Sequence, residues 1–226
     1  MSTLADDLLL VLLDADTGRP KVERTMFDYA LSGAVLLHLA LDHRVDIPPG
    51  PSRRARVVVL DPGSTGDDVL DDALHRIETT PARADKLVPA LSKGLRARLL
   101  GRAERQHLVH HEEDRVLRLF RRDRWPAGDA RTRSRLVARL SDVLLRGTTS
   151  DPRTSALIAL LAAIDAAHVV VDARGRADRA AVRRRAREIG AGAWAADAVR
   201  KAVEAVQAAV AASTTGAVVA ATTAST

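Results

Sequence analysis

Residues 26–41 read MFDYALSGAVLLHLAL, and they carry the clearest indication of fold in the chain. Apolar side chains recur there every three or four positions, as they do along one face of a buried α-helix. The residues at this spacing are Phe27, Ala30, Leu31, Ala34, Val35 and Leu39. Gly33 and Ala34 are small enough for a second helix to approach closely, so the stretch predicts a central helix in a helical protein.

The composition of the whole chain favours the same fold class. The 226 residues are 46% hydrophobic but only 2% aromatic, so the core must consist of Leu, Ala and Val. Such a core suits packed helices better than a β-sandwich. We predict a mainly α protein, with a single helical-bundle domain over residues 1–210 and a small projecting β-hairpin. Residues 211–226 are rich in Ala and Thr and are predicted to be a poorly ordered tail.

Local signals place further elements along the chain. Thr3 is expected to cap a first helix. Ser92 is expected to cap a later helix that runs to about Gln106. Two strand-like pieces separated by a polar turn follow it and predict the hairpin. We place its strands near residues 108–109 and 115–120, and its turn at residues 110–114.

The sequence argues against secretion and against a membrane-spanning segment. There is no cysteine, which excludes disulfides and thiolate metal sites and fits a reducing cytoplasm. No stretch reaches the roughly 18 apolar residues that cross a bilayer. Asp6 and Asp7 precede the apolar residues 8–13, where a signal peptide would need basic side chains. We therefore expect a cytoplasmic protein whose membrane contact, on the inner face, is peripheral.

Positive charge is concentrated in the middle of the chain. The net charge is +6, but residues 93–146 alone sum to +8 and the remainder to −2. A localised basic field attracts polyanions, which include membrane headgroups, nucleic acid and acidic proteins.

Two parts of this basic segment are candidate binding sites. Lys93 and Arg96 are three residues apart, which predicts one shared helix face, and the planar fork of an arginine binds two phosphate oxygens. The predicted hairpin mixes apolar side chains with arginines, as suits a membrane interface. We expect the hairpin residues that contact lipid or a second copy of the chain to be Leu117, Leu119, Phe120, Arg121, Arg122 and Trp125.

Two clusters have the side-chain chemistry of metal ligands. The acidic run is Asp67, Asp68, Asp71 and Asp72, and the histidine-rich cluster is His107, His110, His111 and Glu112. The first resembles magnesium-binding runs of terpenoid enzymes, but it lacks their aromatic cavity, so a solvated helix face with charges near its N-terminus is favoured. The second lies in a predicted turn, where a solvated loop is favoured. With no nucleophile–base pair, we predict neither an enzyme nor a cofactor.

Four blocks in chain order resemble the Golgi phosphoprotein 3 family, and the Arg- and Ala-rich composition indicates a bacterial member. The blocks are residues 4–41, 66–74, 93–120 and 151–161. The resemblance implies a mainly helical fold with a projecting hairpin. It also implies binding of phosphatidylinositol 4-phosphate, and a hairpin, here residues 108–125, that inserts into membranes or mediates self-association.

The family's headgroup site combines a tryptophan and an arginine near the second helix with two basic residues on the helix before the hairpin. By this resemblance the first two positions fall at Glu23 and Ser32, and the basic pair falls at Lys93 and Arg96. Half of the site is therefore replaced, and Arg24 and Arg44 are expected to compensate.

We therefore expect a peripheral protein that binds anionic phospholipid headgroups similar to phosphatidylinositol 4-phosphate, with possible self-association through the hairpin. A winged-helix-like DNA-binding protein is the alternative, because a basic helix followed by an arginine-rich hairpin is also typical of that class. Nucleic acid is the less favoured partner, since the N-terminal helical blocks resemble the lipid-binding family.

Overall fold

The protein is mainly α-helical with two short antiparallel strand pairs, in a computed structural model that describes residues 2–46, 56–116, 120–192, 203–204 and 206–211. The helices are α1 (Leu4–Leu12), α2 (Arg24–Leu41), α3 (Asp68–Thr79), α4 (Ala84–Ser92), α5 (Leu95–Arg105), α6 (Ala130–Arg146), α7 (Pro152–Ala163), α8 (Ala167–Val170) and α9 (Arg176–Gly190). The strands are β1 (Val45–Asp46), β2 (Val58–Val59), β3 (Glu112–Val116) and β4 (Phe120–Arg124). Residues 203–204 and 206–211 are also helical. The predicted fold class is confirmed.

Helices α1 and α2 form the centre of the bundle. Thr3 caps α1 as predicted, and its hydroxyl accepts from the Asp6 backbone while Asp6 Oδ2 accepts from the Thr3 backbone. Every residue of α1 is buried. Helix α2 is the predicted central helix, and it packs against α1, α3, α4, α5 and α7. At Gly33 an added Cβ would lie 2.1 Å from a methyl group of Val206, so the close helix approach expected at this glycine is confirmed.

Two adjacent carboxylates on α1 are buried and held by arginines from other helices. Asp6 and Asp7 are each only 7% exposed. Arg102 of α5 reaches Asp6 at 2.9 Å, and Arg153 of α7 reaches Asp7 at 2.7 Å. Because a buried carboxylate without a cation is strongly destabilising, these two pairs fix α5 and α7 against α1.

The acidic run at the start of α3 stabilises the fold by capping α3 and by pairing with α5. Asp67 caps α3 by accepting hydrogen bonds from the backbone of Val69 and Leu70. Asp72 accepts from Arg98 of α5 at 2.8 Å, and Asp68 lies 3.2 Å from the same guanidinium. The run is therefore a helix cap joined to an ion-paired face.

The hairpin exists, but the predicted positions of its strands are wrong. The register pairs Glu112 with Arg124 and Val116 with Phe120, so residues 112–114 belong to strand β3 and not to a turn. Val109, predicted as a strand, instead forms an isolated bridge with Ala127. The charged sequence of residues 112–115 hid strand β3, because it lacks the apolar alternation by which strands are recognised.

Parts of the predictions fall outside the described residues. Leu117 and Leu119 do so, and the prediction for residues 211–226 does so except at Ala211, which is helical. Within the described ranges, no helix is both long and apolar enough to span a bilayer.

His38 is a largely buried titratable group that joins α2 to the start of α1. Its Nδ1 accepts a hydrogen bond from the Leu4 backbone at 3.2 Å, and its Nε2 lies 3.3 Å from an Asp42 carboxylate oxygen. Burial lowers the pKa of His38, and the Asp42 carboxylate offsets this only in part. The folded protein therefore favours the neutral imidazole.

We expect Arg102→Met to reduce the free energy of unfolding by about 3–5 kcal/mol, because it leaves the Asp6 carboxylate buried and unpaired. Urea denaturation at neutral pH measures the loss. Arg105→Met is the matched control, since Arg105 is exposed on the same helix and has no carboxylate partner among the described residues. Equal stabilities of the two variants would contradict this account of α1.

We expect stability to fall as the pH drops below about 6.5, the usual pKa of histidine in an unfolded chain. The unfolded chain takes up a proton at His38 before the folded protein does, so stability is complete above this pH and is lost below it. Urea unfolding of His38→Asn at several pH values should show a shallower decline, because Asn keeps an acceptor but does not titrate. The control is His43→Asn at an exposed, positive-φ position that Asn tolerates. Identical profiles for wild type and His38→Asn would exclude this role.

Candidate anion-binding site

Lys93 lies in the turn between α4 and α5, so the prediction that it shares a helix face with Arg96 is wrong. It follows the last residue of α4, and Gly94, with φ +74°, precedes α5. Ser92 does not cap α5, because its hydroxyl donates to the Pro89 carbonyl at 2.8 Å. Gly94 in the left-handed conformation reverses the chain there. Lys93 is exposed, and no ion pair of its ammonium occurs among the described residues.

Arg96 and Arg24 both lie near Asp28, a residue that the sequence reading missed. Arg96 Nη1 lies 3.2 Å from Asp28 Oδ1, and Arg24 is the exposed first residue of α2, one turn before Asp28. Burial raises the pKa of Asp28, and the charges of Arg96 and Arg24 offset this in part. The four-residue spacing of Arg24 and Asp28 was the available signal.

Together these side chains form one candidate site, which we call the α2–α5 cluster: Arg24, Asp28, Lys93 and Arg96. Arg96 and Arg24 lie near one carboxylate, and the exposed Lys93 adds a third cation three residues before Arg96. The four side chains sum to a net charge of +2 when Asp28 is ionised. A phosphate oxygen that approaches Arg96 competes with Asp28 for the same guanidinium.

Arg44 does not join this cluster. Its Nε donates to the Asp61 carbonyl at 3.0 Å and lies 3.4 Å from the Asp61 carboxylate. Arg24 begins α2 and Arg44 follows its end, and a helix of 18 residues is about 27 Å long. One headgroup phosphate therefore cannot contact both arginines, and the expectation that Arg44 completes the site is corrected.

Glu23 and Ser32, which stand where the family resemblance implies a tryptophan and an arginine, have structural roles in this protein. Glu23 caps α2 by accepting from the backbone of Thr25 and Met26. Ser32 is fully buried, and its hydroxyl donates to the Val88 carbonyl of α4 at 2.8 Å. Ser32 therefore faces a helix interface and offers nothing to a headgroup.

Trp125 belongs to the base of the hairpin. Its backbone N–H donates to the Gly18 carbonyl, and its indole stacks on His111 with ring centroids 4.4 Å apart. Gly18 has φ +63°, and a Cβ there would lie 2.2 Å from the Trp125 backbone. The indole is also partly buried against the core. Trp125 thus supports the base of the hairpin.

The histidine-rich cluster also belongs to this base. His111 Nε2 lies 3.1 Å from an Asp123 carboxylate oxygen, beneath the stacked indole. Across the described ranges, no group of three or more His, Asp or Glu side chains is arranged to hold a metal ion.

Comparison with known proteins identifies the family. No curated protein matches the chain. Residues 4–206 match the sequence profile of the family described as Golgi phosphoprotein 3 (GPP34), which covers both the helical bundle and the hairpin. The chain therefore belongs to the Golgi phosphoprotein 3 family.

Proposed function

We propose that this protein is a non-catalytic peripheral membrane protein that binds phosphorylated anionic lipid headgroups, similar to phosphatidylinositol 4-phosphate, on the cytoplasmic face of a membrane. The observation that carries the proposal is the α2–α5 cluster, in which Arg24 and Arg96 lie near a half-buried Asp28 and the exposed Lys93 precedes Arg96 by three residues. Family membership supports it, because two of these cations fall where the family resemblance places its basic pair.

The cluster is suited to an exchangeable anion. Arg96 has one carboxylate contact at 3.2 Å, whereas Arg102 is committed to the buried Asp6 and to Asp67. In this proposal a lipid phosphate replaces Asp28 as the partner of Arg96, and the exposed ammonium of Lys93 adds a second donor. At a membrane surface each such cation contributes about 1 kcal/mol.

The hairpin supplies the second contact in this proposal. Its base is held by backbone hydrogen bonds to residues 15 and 18 and by Arg124, whose Nε donates to the Thr17 carbonyl at 3.0 Å. Phe120, Arg121 and Arg122 belong to the part of the ladder farther from this base, and in this proposal they contact lipid or a second copy of the chain.

Nucleic-acid binding by α5 is disfavoured by how its arginines are used. A recognition helix must present its side chains to a DNA groove. Arg98 and Arg102 instead pair with Asp72 and Asp6. The basic run that favoured DNA in the sequence is therefore largely neutralised by contacts within the bundle.

Lys93→Ala combined with Arg96→Ala should weaken binding to vesicles containing phosphatidylinositol 4-phosphate by roughly thirtyfold, or about 2 kcal/mol, because two cations are removed. Asp28→Asn should strengthen binding, since it releases Arg96 from its carboxylate. Vesicle flotation at two salt concentrations measures both effects, and the loss should shrink at higher salt.

The control for this pair is Arg174→Ala combined with Arg176→Ala, at the start of α9. It removes the same charge, and α9 packs against α6, α7 and α8 and not against the α2–α5 cluster. Equal losses in the two double variants would exclude a specific site, and unchanged binding of the first at low salt would reject it.

Phe120→Ser and Trp125→Ser should separate the tip of the hairpin from its base. Trp125→Ser should lower the free energy of unfolding by about 2 kcal/mol, because it removes a partly buried indole. Phe120→Ser should leave thermal stability unchanged but reduce vesicle binding or shift the oligomer size measured by light scattering. If Phe120→Ser changes neither binding nor oligomer size, the hairpin has no part in docking.

A further inference from the structure

Helix α6 carries a second basic surface that lies apart from the α2–α5 cluster. Arg131, Arg135 and Arg139 are each four residues apart, and all three are exposed. At 100° per residue, successive members turn by about 40°, so the three guanidinium groups lie within about 80° of the helix circumference and along about 12 Å of its length. We call this surface the α6 arginine face.

The opposite side of α6 is bound into the core. Leu140, Val143 and Leu144 are buried there, so the orientation of the helix is fixed by packing. Because α6 cannot rotate, the arginine face is held towards solvent by the fold.

These arginines differ from those of α5 in forming no ion pair. None of the three has a carboxylate within 4 Å among the described residues, whereas Arg98 and Arg102 of α5 each have at least two. The nearest carboxylates act at longer range: the charges of Arg131 and Arg135 help to lower the pKa of Asp129, and the charge of Arg139 helps to lower the pKa of Asp151. The next charges along the face, Asp142 and Arg146, pair with each other at 2.7 Å and cancel. The face therefore presents three exposed arginines that are not held in ion pairs.

A stripe of small and apolar residues runs beside the arginines. Ser134, Ala138 and Leu145 are all exposed, and Leu145 is 52% exposed, which is unusual for a large apolar side chain in this protein. A surface with cations on one side and apolar groups on the other fits the boundary between lipid headgroups and acyl chains. DNA offers only the anionic half of that environment.

The face begins at the base of the hairpin. The Asp129 backbone, at the N-cap of α6, donates to the His107 carbonyl, and Ala127 pairs with Val109 at the neck of the hairpin. The start of α6 is thus connected by backbone contacts to the base of the hairpin, the second proposed membrane contact.

We propose that the α6 arginine face is a second docking surface that binds the bilayer through the bulk charge of its anionic phospholipids, and that it thereby sets the orientation of the protein on the membrane. This inference rests on the proposed function. The α2–α5 cluster recognises one phosphorylated headgroup, whereas the α6 arginine face needs only a high density of single negative charges. Through the α6 arginine face the protein therefore binds anionic membranes even when they contain no phosphoinositide.

The test uses the full chain with its three α6 arginines replaced: Arg131→Gln, Arg135→Gln and Arg139→Gln. Glutamine is a good helix former and these positions are exposed, so the fold should persist, which circular dichroism checks. Binding to phosphatidylcholine vesicles containing phosphatidylglycerol should fall about a hundredfold at low salt, as expected for three surface cations. Replacement of the same three by lysine should retain binding, because the charge is kept.

A matched variant removes three exposed cations of α9 instead: Arg176→Gln, Arg184→Gln and Arg187→Gln. If this variant and the α6 variant lose phosphatidylglycerol binding equally, the loss reflects net charge alone and the inference is overturned. If the α6 variant binds vesicles normally but loses DNA in a gel shift, the face serves nucleic acid and the inference is also overturned.

Vesicles containing phosphatidylinositol 4-phosphate distinguish this inference from the proposed function. The inference is supported if the α6 variant loses phosphatidylglycerol binding and still responds to Lys93→Ala with Arg96→Ala on the phosphoinositide vesicles. If that double variant loses binding while the α6 variant binds both vesicles as wild type does, only the inference fails. If the wild-type protein binds neither vesicle, both fail.

Discussion

The bundle depends on the burial of two neighbouring carboxylates, Asp6 and Asp7, on a helix that has no exposed residue. An apolar helix could pack in several registers and rotations, since leucines are nearly interchangeable as contacts. Charges in a dry interface are not interchangeable, because each must meet its own cation. Arg102 and Arg153 can satisfy this requirement only when α5 and α7 lie in one position against α1.

The same requirement determines how much positive charge reaches the surface. Arginines of α5 are used within the bundle, and α3 provides the carboxylates that neutralise them. Basic character in a sequence window is therefore a poor guide to basic character on the surface. Arginines and lysines that the interior does not use remain exposed, as at the turn before α5, along the outer side of α6 and on α9.

Patterns that depend on near neighbours were predictable, and those that depend on distant partners were not. The cap at Thr3 and the helix over residues 26–41 follow from local spacing, and both are confirmed. The start of α5 was placed two residues too early, with Ser92 as its cap, because the left-handed Gly94 that precedes the helix has no periodic signal. The contacts of Arg44 could not be found either, since Asp61 lies 17 residues further along the chain.

The neck of the hairpin makes that element modular. The neck consists of the bridge between Val109 and Ala127 together with the backbone contact of Gly18 and Trp125 beside it. It joins the two ends of the hairpin before β3 begins and after β4 ends. The bundle therefore holds the hairpin at this neck. The entropic cost of closing the neck depends weakly on the length of chain beyond it, because it grows by about 0.6 kcal/mol for each doubling of that length. Relatives could lengthen, shorten or exchange everything beyond the neck at little thermodynamic cost, so the tip can diversify while the bundle that carries it stays the same.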